Sequence, residues 1–285
     1  MQTQWHTQGV QQVGDREDMV GWCGLMSRRG DGRPFIVEVD GQRSLQFDGV
    51  TIQSQMAVDD PGALVLDYTR SIMGFLLLHP APRHIAMIGL GGGSLVKYCL
   101  ENLPETTVTA VEINPDVIAL REAFGIPQDG PRLRVLCRDG ADYVRNPGES
   151  PDVLIVDGFD VAGIPGQLCS AGFYDHCCAM LAEGGMVVLN LWSGDPRYGV
   201  HASRIRESFD GRVVVVRAGE DSNRIVFASK DRHFPPGRRE LLERAQALSA
   251  AHPIGLVPLA QRIQHSLERR RERGPDDWIV DRRRR

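Results

Sequence analysis

Residues 84–93, HIAMIGLGGG, constrain this chain more than any other segment. A short apolar run ends there in Gly89-x-Gly91-x-Gly93, and nineteen residues past Gly93 a second apolar run ends on an acid, Val111-Glu112. Together these read as a strand, a glycine turn, a helix and a second strand capped by a carboxylate, the unit that binds the adenosine half of a cofactor. Glycines let the backbone approach a ligand where a Cβ would clash. A carboxylate at the second strand's tip can accept hydrogen bonds from both ribose hydroxyls. A lone glycine triplet carries little weight, since about 7% of residues are Gly in an average protein. The acid at the right distance supplies the specificity.

From His84 onward strand and helix patterns alternate. Strands are predicted at 84–89, 107–113, 132–137, 152–157 and 185–191, with helices near 94–103, 115–123, 139–145 and 171–182. Near-continuous apolar strands of this kind point to a parallel sheet covered on both faces. Residues 212–217 and 223–228 then predict an antiparallel pair that closes the sheet. The expected fold is therefore α/β, a Rossmann-like sheet of the class I methyltransferase type. Ahead of it, the Asp40-Gly41 turn between alternating segments predicts a hairpin in a small antiparallel β domain. Residues 61–78 predict one helix, residues 1 to about 20 read as loosely attached, and helices are expected at 240–250 and 259–271. The expected division is a small β domain over 1–58, a nucleoside-binding catalytic domain over 59–232 and a charged helical extension over 233–285.

Composition removes several function classes. The 285 residues are 42% hydrophobic and 25% charged with a net charge of −4, which is soluble globular composition and no case for nucleic acid. The arginine runs at 269–273 and 282–285 read as a solvated helix face and a chain end. The longest apolar stretch, 72–78, is far short of the ~20 residues a membrane helix needs, and the polar start lacks a signal core. No nucleic-acid or membrane partner is expected, and the expected setting is cytoplasmic. The six cysteines form no CxxC pair and read as free thiols, with Cys99 and Cys137 in apolar, buried contexts. The eight histidines form no HExxH motif, and Asp175-His176-Cys177-Cys178 lies on a predicted helix where adjacent residues point apart. No metal is expected.

The acids define a candidate site. Gly89, Gly91 and Gly93 line the first turn, Glu112 ends the second strand, Asp139 follows the third and Asp157 ends the fourth. Open α/β sheets bind ligands at these carboxyl ends. Asp139 can accept from an adenine amino group or cap its helix, and the sequence leaves both open. An NAD fingerprint wants a third glycine where Ser94 stands and gives no reason for acids after strands three and four, so an adenosyl sulfonium donor is the better fit. Past the fourth strand, Asp157 and Asp160 stand three apart. An amine acceptor with a pKa near lysine's, about 10.4, costs about 4 to 5 kcal/mol to deprotonate at pH 7. A carboxylate in reach can bind the ammonium and take its proton as attack proceeds, while a second holds the acceptor in line. Tyr68 is a candidate third wall or ordinary packing, and Asn190-Leu-Trp192 at the end of the fifth strand is a candidate lining of the acceptor pocket, with Trp192 equally readable as ordinary core.

Gly89-Leu-Gly-Gly-Gly-Ser94, Val111-Glu112-Ile-Asn114, Arg138-Asp139-Gly140, Val156-Asp157-Gly-Phe-Asp160 and Phe173-Tyr174 followed by LAEGG occur in that order. In order and spacing they resemble the spermidine synthase (polyamine aminopropyltransferase) family over about residues 35–230, as does Phe47-Asp-Gly-Val50 with Gln53. The resemblance implies decarboxylated S-adenosylmethionine as donor, a small-molecule amine (polyamine) as acceptor, 5′-methylthioadenosine as by-product and a homodimer formed through the small sheet domain. Carried over by position, Glu112 holds the ribose, Asp139 with Gly140 the adenine, and Gln53 touches the donor. Asp157 is then the base and Asp160 binds the acceptor amine. The chain departs from the family pattern at Gly92, where the family has an Asp that holds the donor's propylamine, at Thr69-Arg70 in place of His-Glu, and at Val161 in place of Pro. Without that Asp, intact S-adenosylmethionine is not repelled, so a small-molecule methyltransferase on the same scaffold is the alternative reading. A non-catalytic nucleoside-binding protein is a third, opposed by the presence of both Asp157 and Asp160.

Overall fold

A computed structural model describes residues 10–12, 32–49, 51–159, 163–219, 222–274 and 279. Four short strands come first: β1 (Val10–Gln12), β2 (Phe35–Val39), β3 (Gln42–Gln46) and β4 (Ile52–Ala57). They form one sheet in chain order, with β2, β3 and β4 antiparallel and β1 added parallel to β2. The hairpin turns at Asp40-Gly41 as predicted, both at positive φ. The strand at Val10–Gln12 lies within the stretch that the sequence alone reads as loosely attached.

The expected helix over 61–78 is two short ones, α1 (Asp67–Ile72) and α2 (Phe75–Leu78). The break falls at Met73-Gly74, where the side chains of Leu259 and Phe227 close in on Gly74. Alternation then proceeds through β5 (His84–Ile88), α3 (Ser94–Asn102), β6 (Thr107–Glu112), α4 (Pro115–Ala119), β7 (Leu133–Cys137), α5 (Gly140–Arg145), β8 (Val153–Val156), α6 (Ala171–Met180) and β9 (Met186–Trp192). Helix starts follow local chemistry. Asn114 caps α4 ahead of Pro115, and Ser170 caps α6 by accepting from the Phe173 amide at 3.0 Å. A further helix, α7 (Tyr198–Ser208), was not expected from the sequence. Just ahead of it, Asp195 accepts from the Arg197 amide at 2.7 Å, in the turn that leads into the helix. The chain closes with β10 (Val213–Arg217), β11 (Asn223–Ser229), α8 (Arg238–Leu248) and α9 (Leu256–Arg273).

The main sheet runs β10-β11-β9-β8-β5-β6-β7. The five strands β5 to β9 are parallel, and β10 and β11 are antiparallel. The chain winds outward from β5 through β6 to β7, then returns to β8 on β5's other side. The crevice between the carboxyl ends of β5 and β8 is therefore the topological switch point. Each face of the sheet carries its own core. One holds Phe75, Val96, Val188 and Phe227 and continues into Leu45 and Met56 of the small sheet and Leu241, Leu259 and Ile263 of α8 and α9. The other holds Tyr143, Phe173, Leu189 and Phe209. Buried packing thus runs without interruption across residues 58 and 232. Cys99 is buried, but Cys137 is exposed at the end of edge strand β7, because β7 has a neighbour on one side only.

Candidate active site

The site is built where β5 and β8 end side by side. Gly89 follows β5 with φ +96°, and a Cβ there would lie 2.3 Å from the backbone oxygen of Asp157. No other residue fits that contact. Gly89 donates its amide to the Val111 carbonyl at 2.8 Å, which ties the turn to the end of β6. There Glu112 accepts from the Leu90 amide on one oxygen, at 3.0 Å, and from the Asn114 amide on the other, at 2.9 Å. The acid thereby fixes the glycine turn and the start of α4 together. Gly91 and Gly93 continue the turn at positive φ, and Gly93 opens α3.

The small sheet contributes the opposite wall. Ser54 of β4 is buried against Gly91 and Gly92, and a Cβ on Gly92 would lie 2.8 Å from its Oγ and 2.9 Å from the Phe124 ring. An ideal Cβ on Gly93 would lie 2.5 Å from Ile126. Gln53 precedes Ser54 on β4 and is half-buried. Asp139 takes the capping role that the sequence left open: its Oδ1 accepts from the Ala141 and Asp142 amides at 2.7 and 3.0 Å. Gly140 opens α5 tight against Ile88 of β5.

Asp157 is the chemical centre. Its amide donates to the Ile88 carbonyl at 2.9 Å, and its Oδ1 accepts from Asn190 Nδ2 at 2.9 Å. The Tyr68 hydroxyl donates to the same carboxylate. Burial pushes the Asp157 carboxyl above the usual range, while the bonds from Asn190 and Tyr68 hold it down. Burial raises the Tyr68 hydroxyl well above its ordinary value, and the Asp157 charge adds to this. Tyr68 therefore stays a donor, and Asp157 is the member of the pair that can take up a proton. Asn190 is 5% exposed, and its Oδ1 is buried without a hydrogen-bond partner among the described residues. Replacing Tyr68 with Phe removes one bond that favours the ionised carboxylate. The Asp157 pKa then rises further, and the acid limb of the kcat/KM profile moves to higher pH. A pH–rate series on both proteins checks this, and an unmoved limb would remove Tyr68 from the site.

Asp160, the second expected carboxylate, lies outside the described residues. Trp192 ends β9 at 46% exposure and so is not core. Arg70 does not point a free charge at an acceptor: its guanidinium donates to the Leu64 and Val65 carbonyls and pairs with Asp67. The sequence marks Asn190, inside the apolar run MVVLNLW, as a candidate pocket residue but not its bond to Asp157. It also leaves unmarked Ser54, Phe124 and Ile126, which carry no periodic signature.

Comparison with known proteins places these features in context. Residues 66–198 match the family described as the spermine/spermidine synthase domain. The polyamine aminopropyltransferase of Chromobacterium violaceum is 38% identical over 232 residues, 81% of this chain and 89% of that one. A probable spermidine synthase from Corynebacterium glutamicum has the same fold, with a TM-score of 0.62 at 21% identity over 74% of this chain and 83% of that one. A spermidine synthase solved with the transition-state analogue AdoDATO gives a TM-score of 0.54 at 25% identity, covering 70% and 74%.

Proposed function

Since this chain belongs to the spermine/spermidine synthase family, we propose that the crevice between β5 and β8 is where it transfers an aminopropyl group to an amine. The chain is an enzyme of the polyamine aminopropyltransferase class. Its donor is a relative of S-adenosylmethionine, and on this reading the decarboxylated form. A Cβ on Gly89, Gly92 or Gly93 would collide with Asp157, Ser54 or Ile126, so the turn keeps the bare, close-packed backbone that such a nucleoside can approach. Glu112 receives the ribose hydroxyls with the lone pairs that its two backbone bonds leave over. Gln53 touches the donor from β4, and Asp139, with Gly140 beside it, receives the adenine. The sulfonium supplies an electrophilic carbon and leaves as a neutral thioether, carrying the pair from the broken carbon–sulfur bond.

Asp157 does the rest. As a carboxylate it binds the acceptor's ammonium, takes one proton and frees the nitrogen lone pair to form the new carbon–nitrogen bond. Its burial raises its basicity, which suits that task. Tyr68 and Asn190 fix the rotamer, and Asp160 holds the acceptor in line. The acceptor is a small-molecule amine of the polyamine kind. A homodimer formed through the small sheet belongs to the reading, supported by exposed Ile52 and Val58 at the ends of β4. So does a cytoplasmic setting, supported by the free thiols.

The observation that carries the proposal is the Asp157 carboxylate held by Tyr68 and Asn190 beside Gly89. The test is mass spectrometry of products from a diamine offered with either donor. A product heavier by one aminopropyl unit from the decarboxylated donor is expected. A product heavier by one methyl from the intact donor would overturn it.

A further inference from the structure

Lys97 is one of two lysines in the chain, and it is 3% exposed. It lies one helical turn past Gly93, with its amide on the Gly93 carbonyl at 2.9 Å. Its Nζ donates to the Phe124 carbonyl at 2.7 Å and meets Met56 Sδ at 2.9 Å. Three elements therefore converge on one ammonium: α3, which carries the glycine turn; β4, which carries Gln53 and Ser54; and the segment after α4 that bears Phe124 and Ile126. The last two side chains are the ones packed against Gly92 and Gly93. Arg43 of β3 adds a second tie by donating to the Ala123 carbonyl while it pairs with Glu38.

A buried ammonium is an expensive way to join apolar elements. Methionine has a similar length and desolvates no charge, but it leaves the Phe124 carbonyl without its donor. Burial lowers the Lys97 pKa to about 8, against the attraction of Glu101 and with the repulsion of Arg43. What an apolar side chain cannot supply is a directed bond to the Phe124 carbonyl, and that bond sets how far the Phe124 ring stands from the glycine turn.

We infer that Lys97 is a positioning residue for the donor: its ammonium holds the 120–126 segment as a fixed back wall behind the glycine turn. The inference rests on the reading that this turn cradles the donor. Lys97 touches neither substrate, so its loss acts on donor affinity and leaves the proton transfer at Asp157 alone.

The test is steady-state kinetics of the full chain with decarboxylated S-adenosylmethionine and a diamine. Lys97→Met is expected to raise the donor KM about tenfold, the size of one lost charge-assisted hydrogen bond. The kcat at saturating donor and the KM for the amine stay within error, while the melting temperature falls modestly because the Phe124 carbonyl loses its buried donor. Gly93→Ala serves as the reference for the site. If Gly93→Ala raises the donor KM and Lys97→Met does not, the role assigned to Lys97 is wrong. If neither raises it, the donor site itself is misplaced and the inference falls with it. A melting temperature that falls with kcat would make Lys97 structural only.

Discussion

Asp157→Asn should lower kcat by roughly 10²- to 10⁴-fold, the usual weight of a positioned general base, and leave donor affinity unchanged. The amide keeps the size of the carboxylate and can keep both of its neighbours, Asn190 and Tyr68, but it cannot take a proton. Folding should not suffer. The Asp157 carboxyl is raised above its unfolded value by burial, so its ionised form opposes folding. Stability associated with the neutral carboxyl is lost as pH rises through the folded pKa, and an amide removes that loss. At neutral pH the variant should melt at the wild-type temperature or above it. Calorimetric titration with the donor, stopped-time product assays and a melting curve test all three expectations. Residual activity near wild type would mean that another group accepts the proton.

Gly89→Ala should be worse than a catalytic loss. The positive φ imposes strain of about 1 to 3 kcal/mol, and the methyl driven against the Asp157 carbonyl forces a shift of comparable size, about 1 to 3 kcal/mol. Denaturant unfolding should therefore report a loss of about 2 to 6 kcal/mol. Donor binding and turnover should disappear together, because the same methyl displaces the glycine turn and the strand end that carries the base. Gly148→Ala is the control: a Cβ there meets nothing within 4 Å. Equal stability of the two variants would mean that β5 and β8 do not end in contact.

Much of this was legible in the residues themselves. Strands β5, β8 and β9 are almost wholly apolar and buried, so their runs stand out, and an acid at the tip of an apolar run is visible without coordinates. The hairpin at Asp40-Gly41 announced itself by turn chemistry. What could not be read is what depends on strand order. Asn190 and Asp157 are 33 residues apart and meet only because β9 lies beside β8. Tyr68 reaches the same carboxylate because the chain from α1 folds back over the sheet. The break in the 61–78 helix falls at Gly74, whose close neighbour Leu259 lies far along the chain. Helix α7 was hidden by a loop-like start. Asp139 illustrates an ambiguity that geometry narrows: a carboxylate after a strand and before a helix is equally a ligand and a cap, and its cap bonds are present.

Because the carbonyl of Asp157 fills the space that a side chain at Gly89 would need, the proposed nucleoside site and the proposed base share a single partition. Neither can drift without disturbing its neighbour. On the proposed reading, freedom to alter substrate preference lies instead with Trp192, an exposed side chain at the end of the last parallel strand, and not with Tyr68, whose hydroxyl holds the base. Efforts to retrain such an enzyme toward new amines should begin on that bank of the crevice and leave the glycine bank untouched.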